Sequence, residues 1–220
     1  MTYHEIKKPG AIATDSFSLI RQELSTAGYQ FTSPNADIIE RIIHSTADFD
    51  FAETTEISPN AVDAGTKALN MGCPIVCDVN MIRAGISEPR VTNLGGALHC
   101  FVAEPTIRQR AEAAGSTRSA MGIRWAAEQG LLEGSLVVVG NAPTALFEAI
   151  RLVDEGIRPA LIIGVPVGFI NTIESKEALT TVTAVPWITT LGRKGGTPVA
   201  VAIVNALLRL AVDAPVTEVD

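Results

Sequence analysis

The chain has 220 residues, a net charge of -7, 47% hydrophobic residues and only 5% aromatics. That length supports a full aliphatic core in one domain, or at most two. The acidic balance weighs against nucleic acid or an anionic membrane as the main partner, though not against a local basic pocket.

Cys73, Cys77 and Cys100 form no C-x-x-C pair and read as buried free thiols of a reducing compartment, ahead of zinc or a disulfide. No apolar run of signal-peptide or bilayer-spanning length occurs, so a cytoplasmic protein is expected. Residues 1–13 read as an arm with a turn at Pro9-Gly10, and His4 within it as a solvated residue. Thr14 to Ala27 predicts a helix capped by Thr14 or Asp15, with Phe17, Ile20 and Leu24 on its apolar face. Ser16 and Arg21 lie near its entrance, where each either reaches a ligand or meets water. Ser33-Pro34 looks like an N-cap followed by proline at the first helical position, and Ile38, Ile39, Ile42 and Ile43 recur at helical spacing.

His44 then falls in the last turn of this second helix, with Arg41 three residues back on much the same face. A helix C-terminus stabilises an imidazolium, which makes His44 a reasonable proton donor near neutral pH. His44 also begins H-x-x-x-D-x-D with Asp48 and Asp50, so a metal site remains an alternative.

Ser58-Pro59 repeats the Ser-Pro start before a helix from Asn60 to Asn70. Ile75 to Cys77 has the short apolar character of a buried parallel strand, with Asp78 and Asn80 at its C-terminal end, where α/β sheets collect ligands. A strand is expected over Ala97 to Ala103, with His99 packed in it. Helices follow from Pro105 and from Ser116 or Thr117 as cap; Arg118 in that first turn opposes the macrodipole unless it meets an anion or points to water. Strands at Leu136–Val139, at Leu161–Ile163 and in VPWITT then alternate with helices opened by Pro143, by Glu174-Ser175-Lys176 and by Thr197-Pro198. The last helix runs to about Val212, and the tail from Asp213 reads as frayed. No linker divides the chain. One α/β domain, residues 1–220, doubly wound with a mainly parallel sheet flanked by helices, is the economical solution.

Three loops share one design: Gly140 to Thr144, Gly164 to Lys176, and Gly192 to Thr197. In each, a strand ends, glycine and proline shape the backbone, and a helix starts, as anion sites require. None matches a dinucleotide or nucleotide phosphate loop. Lys176, Arg193, Lys194 and Gly195 are the candidate anion-binding residues of the last two.

Taken in series, RIIHSTADFDF, TRSA, VVGNAPTALFEAI, IIGVPVGF with ESKEAL, and GRKGGTPVAVAIVNALL resemble the precorrin-8X / cobalt-precorrin-8 methylmutase (precorrin isomerase) family of corrin-ring biosynthesis, from about Ile12 to Leu208. The resemblance implies an isomerase of cobalamin synthesis that moves a methyl group from C-11 to C-12 of a tetrapyrrole, without an added cofactor or a protein-bound metal. It also implies a homodimer with its active site near the interface. His44 matches the family's proton donor and acceptor at ring C. Ser16 matches the ligand-contacting serine of a Ser-Phe pair, Arg41 the arginine before the histidine, and Arg118 the arginine of TRS. With Lys176, Arg193, Lys194 and Gly195, these residues would meet the acetate and propionate groups of the macrocycle.

Asn171-Thr172-Ile173 and Thr197 depart from the family pattern. The phrase set sits slightly nearer the cobalt-bearing branch. A non-catalytic tetrapyrrole carrier, or a metal-dependent enzyme using His44, Asp48 and Asp50, are the competing expectations.

Overall fold

The strand segments LVVV, LIIG and WITT are buried at every residue, as parallel strands covered on both faces must be. In the computed structural model, which describes residues 9–213, the strands are β1 Thr55–Ile57, β2 Pro74–Cys77, β3 Ala97–His99, β4 Leu136–Val139, β5 Leu161–Gly164 and β6 Trp187–Thr190. They form one sheet in the order β1-β6-β5-β4-β2-β3. Only β1 runs antiparallel, against β6; the other pairs are parallel.

The first six helices are α1 Pro9–Thr26, α2 Asn35–Thr46, α3 Phe51–Thr54, α4 Ala61–Asn70, α5 Asn80–Gly85 and α6 Glu88–Asn93. They are followed by α7 Pro105–Ala113, α8 Arg118–Glu128, α9 Pro143–Asp154, α10 Thr172–Thr180 and α11 Thr197–Asp213.

Alternation along the strands divides the core in two. Ile75, Leu136, Val138, Leu161, Ile163 and Ile188 pack with Leu24, Ile42, Leu69 and Ile203, on α1, α2, α4 and α11. Val76, Val137, Val139, Ile162 and Trp187 face the other way, onto Ile123, Leu146, Leu152 and Leu179 of α8, α9 and α10. This is the expected doubly wound α/β architecture. The chain leaves β2 toward β3 on one side, while β4, β5 and β6 build outward on the other, which puts the topological switch point between the C-terminal ends of β2 and β4.

Several local expectations need correction. α1 starts at Pro9, so the arm expected over 1–13 is helical from that residue, and residues 1–8, with His4, lie outside the described residues. The expected tail beyond Asp213 lies outside them too. Ser33 does not cap α2; its hydroxyl donates to the Asp37 carboxylate at 2.8 Å. Ser58 likewise turns away from α4 and accepts the Trp187 amide at 2.7 Å, pinning β6 instead. β3 ends at His99, because the Glu104 amide closes a turn on the Phe101 carbonyl before Pro105 opens α7. Thr117 is the cap of α8, accepting the Ala120 amide at 3.2 Å.

Candidate active site

α2 delivers His44 as its C-terminal basic residue, and Ala47, left-handed at φ 53°, turns the chain away. The His44 imidazole is exposed and lies stacked on the half-buried Phe17 ring of α1, with centroids 4.7 Å apart and planes 11° from parallel. The Arg41 guanidinium lies over the same ring, 4.6 Å from its centroid. Spacing of three on α2 thus brings both side chains to one aromatic platform. Burial, with Arg209 and Arg90 nearby, pushes the Arg41 guanidinium below its ordinary pKa. Like-signed neighbours of this kind favour the arrival of an anion. Ser16, next to Phe17, donates to the Ile12 carbonyl at 2.7 Å. Arg21 is committed to Glu40, whose carboxylate it meets from Nε at 2.9 and 3.0 Å.

Beyond α2, Asp48 and Asp50 each accept from Lys194 Nζ at 2.6 Å. This ties the segment after His44 to the loop after β6. The contact holds the Asp48 carboxyl below its usual range and the Lys194 ammonium above its own. A cation bound by Asp48 and Asp50 would have to displace that ammonium. Among the described residues, no group of three or more His, Cys, Asp or Glu stands where it could hold a metal ion.

Lys194 belongs to the run Gly192-Arg193-Lys194-Gly195-Gly196. Gly195 has φ +154°, and a Cβ there would stand 2.4 Å from the Val165 carbonyl oxygen, so no side chain fits between the loops after β5 and β6. Lys176 is 0% exposed. Its Nζ donates to the carbonyls of Lys194 at 2.6 Å and Gly192 at 3.1 Å, and to Thr190 Oγ1 at 3.5 Å. Lys176, expected to meet a substrate carboxylate, therefore spends its donors inside the protein, because α10 starts at Thr172 and turns Ser175 and Lys176 inward. Arg193 is exposed and lies over the Phe169 ring at 5.4 Å.

The third glycine loop behaves oppositely. Asp78, 2% exposed at the switch point, accepts the amides of Gly140 at 3.1 Å, Asn141 at 3.0 Å and Ala142 at 2.8 Å. Burial pushes its carboxyl up, and the three amides pull it down. The anion site expected at Gly140–Thr144 is thus already filled by the protein's own carboxylate. Arg118 is exposed at the start of α8 and lines a pocket of about 370 Å³ with Arg108, Glu112 and Ser116. Thr117 Oγ1 lies 2.7 Å from Thr144 Oγ1, which sets this helix start beside that of α9.

Asp48 and Asp50, shortly after His44, therefore meet Lys194, beside Gly195, in the loop leaving β6, while His44 and Arg41 share the Phe17 ring. Among the described residues, no hydrogen bond, ion pair or ring contact joins Arg118 to them. His99 stacks near Phe101 at 6.1 Å and is kept below its ordinary pKa by burial and by Arg83, as befits the packed histidine expected. The three thiols are free, and burial raises each, Cys73 to about 11. Sequence reasoning missed Phe17 as a platform, since its spacing with Ile20 and Leu24 looked like core. It also missed Arg90, Phe169 and the internal role of Asp78; for Asp78 the signal was a lone carboxylate ending a β2 otherwise apolar.

With this geometry in place, the comparisons give the class. The sequence profile of the family described as Precorrin-8X methylmutase matches residues 11–210, and the chain belongs to that family, whose members are isomerases. It is 45% identical to the cobalt-precorrin-8 methylmutase of Leptospira interrogans over 206 residues, covering 91% of this chain and 93% of that one. It is 39% identical to the precorrin-8X methylmutase of Pseudomonas aeruginosa over 204 residues, covering 92% and 96%. The crystal structure of precorrin-8X methylmutase from Thermus thermophilus superposes with a TM-score of 0.85 at 43% identity, over 92% of this chain and 96% of that one.

Proposed function

We propose that this protein carries out the cobalamin-biosynthetic isomerisation of cobalt-precorrin-8, moving a methyl group from C-11 to C-12, with His44 lending a proton to ring C and taking it back. The shift is a 1,5-sigmatropic migration: one carbon–carbon bond breaks, another forms, and no atom is gained or lost. Protonation of ring C draws electrons from the conjugated system and lowers the barrier. His44 returns to its starting state, so no external cofactor is consumed; cobalt travels with the substrate. Membership of the family makes the protein an isomerase of this class. The observation that carries the residue assignment is the exposed His44 imidazole, held flat on Phe17 beside Arg41.

Arg41 receives a ring carboxylate, as its half-buried, cation-flanked position favours. Ser16, Arg118, Arg193 and the Gly195 loop serve the remaining acetates and propionates. The relatives named for the cobalt-bearing substrate include those at 45% and 42% identity, which supports that branch. The protein acts as a homodimer in the cytoplasm. Phe169 and Ile170, 82% and 81% exposed, support an apolar rim that a second copy or a macrocycle edge would cover. No helix of the described residues is long and apolar enough to cross a membrane.

The test is incubation with cobalt-precorrin-8 and metal-free precorrin-8 in parallel, followed by the change in absorption as the chromophore rearranges. Turnover should fall about 100-fold or more in His44→Ala, the scale of a lost acid/base. Equal rates for both proteins would remove His44 from the mechanism, and binding without turnover by the wild type would leave a tetrapyrrole carrier.

A further inference from the structure

The loop after β6 has an unusual division of its hydrogen-bonding groups. The carbonyls of residues 192–194 are taken by the protein: Gly192 O and Lys194 O by Lys176 Nζ, Arg193 O by the Gly168 amide at 3.3 Å, and Lys194 O again by Thr190 Oγ1 at 3.1 Å. Its amides are not. Among the described residues, the N–H groups of Gly192, Arg193, Lys194 and Gly195 donate to no protein acceptor, whereas the flanking Leu191 and Gly196 amides donate to Thr54 O at 2.7 Å and Val165 O at 2.8 Å. Consecutive free amides with their carbonyls turned away make a concavity that accepts an anion.

Lys176 is what turns the carbonyls. It is the largest of the fully buried side chains, and no carboxylate pairs with it among the described residues. A buried cation without a counter-ion is costly, and the loop oxygens offset that cost only while they point inward. Each side therefore fixes the other. Gly195 allows the arrangement, since any side chain there would strike Val165.

We propose that Lys176 is a positioning residue: by binding the carbonyls of Gly192 and Lys194 from inside, it directs the amides of residues 192–195 outward to receive a carboxylate of the tetrapyrrole. Lys176 itself touches no substrate. The carboxylate half of this inference rests on the function proposed above; the loop half does not.

The experiment compares the full-length wild type with Lys176→Met, which keeps the side-chain length and removes the ammonium. Thr190→Val, which deletes one of the three acceptors, is the second variant, and Thr190→Ser the conservative control. Amide hydrogen exchange at Gly168 and Gly196 reads the loop. Absorbance titration with the cobalt-bearing product corrinoid reads affinity, and the cobalt-precorrin-8 assay separates KM from kcat.

Lys176→Met should speed exchange at both amides by about tenfold or more, weaken corrinoid binding and raise KM by about tenfold, and leave kcat within about threefold. Thr190→Val should shift the same quantities in the same direction by less, and Thr190→Ser should restore them. Should Lys176→Met not fold, the Thr190 pair decides. Unchanged exchange in Thr190→Val, or in folded Lys176→Met, would overturn the loop half. Faster exchange with unchanged affinity would overturn the carboxylate half. A wild type that neither binds nor converts the corrinoid would overturn the functional reading instead, and exchange would still decide the role of Lys176.

Discussion

The loops after β4 and after β6 leave the same edge of the same sheet, both shaped by glycine, and they carry opposite charges within. Behind the first sits the Asp78 carboxylate, which consumes the amides of Gly140, Asn141 and Ala142. Behind the second sits the Lys176 ammonium, which consumes carbonyls and leaves amides over. A buried anion closes a helix start to outside anions; a buried cation opens one. The chemistry that a glycine loop can perform is thus decided by the one titratable side chain beneath it, and not by the glycines.

The largest expected effect that sharpens this contrast is on stability. Asp78→Ala strands the buried Gly140 amide and the part-buried amides of Asn141 and Ala142; at about 1–3 kcal/mol for a buried group and less for the other two, urea unfolding should show a loss of about 2–3 kcal/mol. Lys176→Met should instead lose about 1–2 kcal/mol, since the buried ammonium carries its own desolvation cost. If Lys176→Met proves the more damaging to stability, the two loops do not differ as described.

A pH test follows from the same pair. Burial lowers the Lys176 ammonium from its ordinary 10.5 to about 8. Between those values the unfolded chain holds a proton that the folded chain does not. This group's contribution to stability is therefore fully present above 10.5 and is lost as pH falls through about 8. Lys176→Met should flatten that portion of the stability curve, measured by urea unfolding at about pH 7.5, 9 and 10.5. A curve parallel to that of the wild type would contradict it. The smallest effect belongs to Lys194→Ala. Its two ion pairs with Asp48 and Asp50 lie at the surface, so the loss in urea unfolding should be smaller than for either buried group and should fade with added salt.

Much of the fold was legible because burial imposes it on the sequence. Leu136–Val139 and Leu161–Ile163 can only be covered strands, and Thr117 before Arg118 caps as its chemistry dictates. β1 was not legible, since Thr55-Glu56-Ile57 is a three-residue edge strand with a charge in it and gains its identity only by pairing with β6. In the candidate site, His44 and Arg41 declared themselves by helical spacing. Phe17 did not, because the spacing that marks a core face also describes a ring lying half-buried against a neighbouring helix. Lys176 misled for a sharper reason. Lysine is expected at the surface, and nothing in ESKEAL records that α10 begins at Thr172, two residues earlier than Glu174, and so aims the ammonium inward.

The antiparallel strand β1 has a mechanical consequence. Thr55 pairs with Thr190, and Thr54 O takes the Leu191 amide, so the segment descending from His44 and the loop leaving β6 are rungs of one ladder. The register between the segment that follows His44 and the loop after β6 is then gauged by main chain rather than by surface side chains. Drift at Asp48, Asp50 or Lys194 can change how firmly the two segments are fastened, while their register is inherited unchanged.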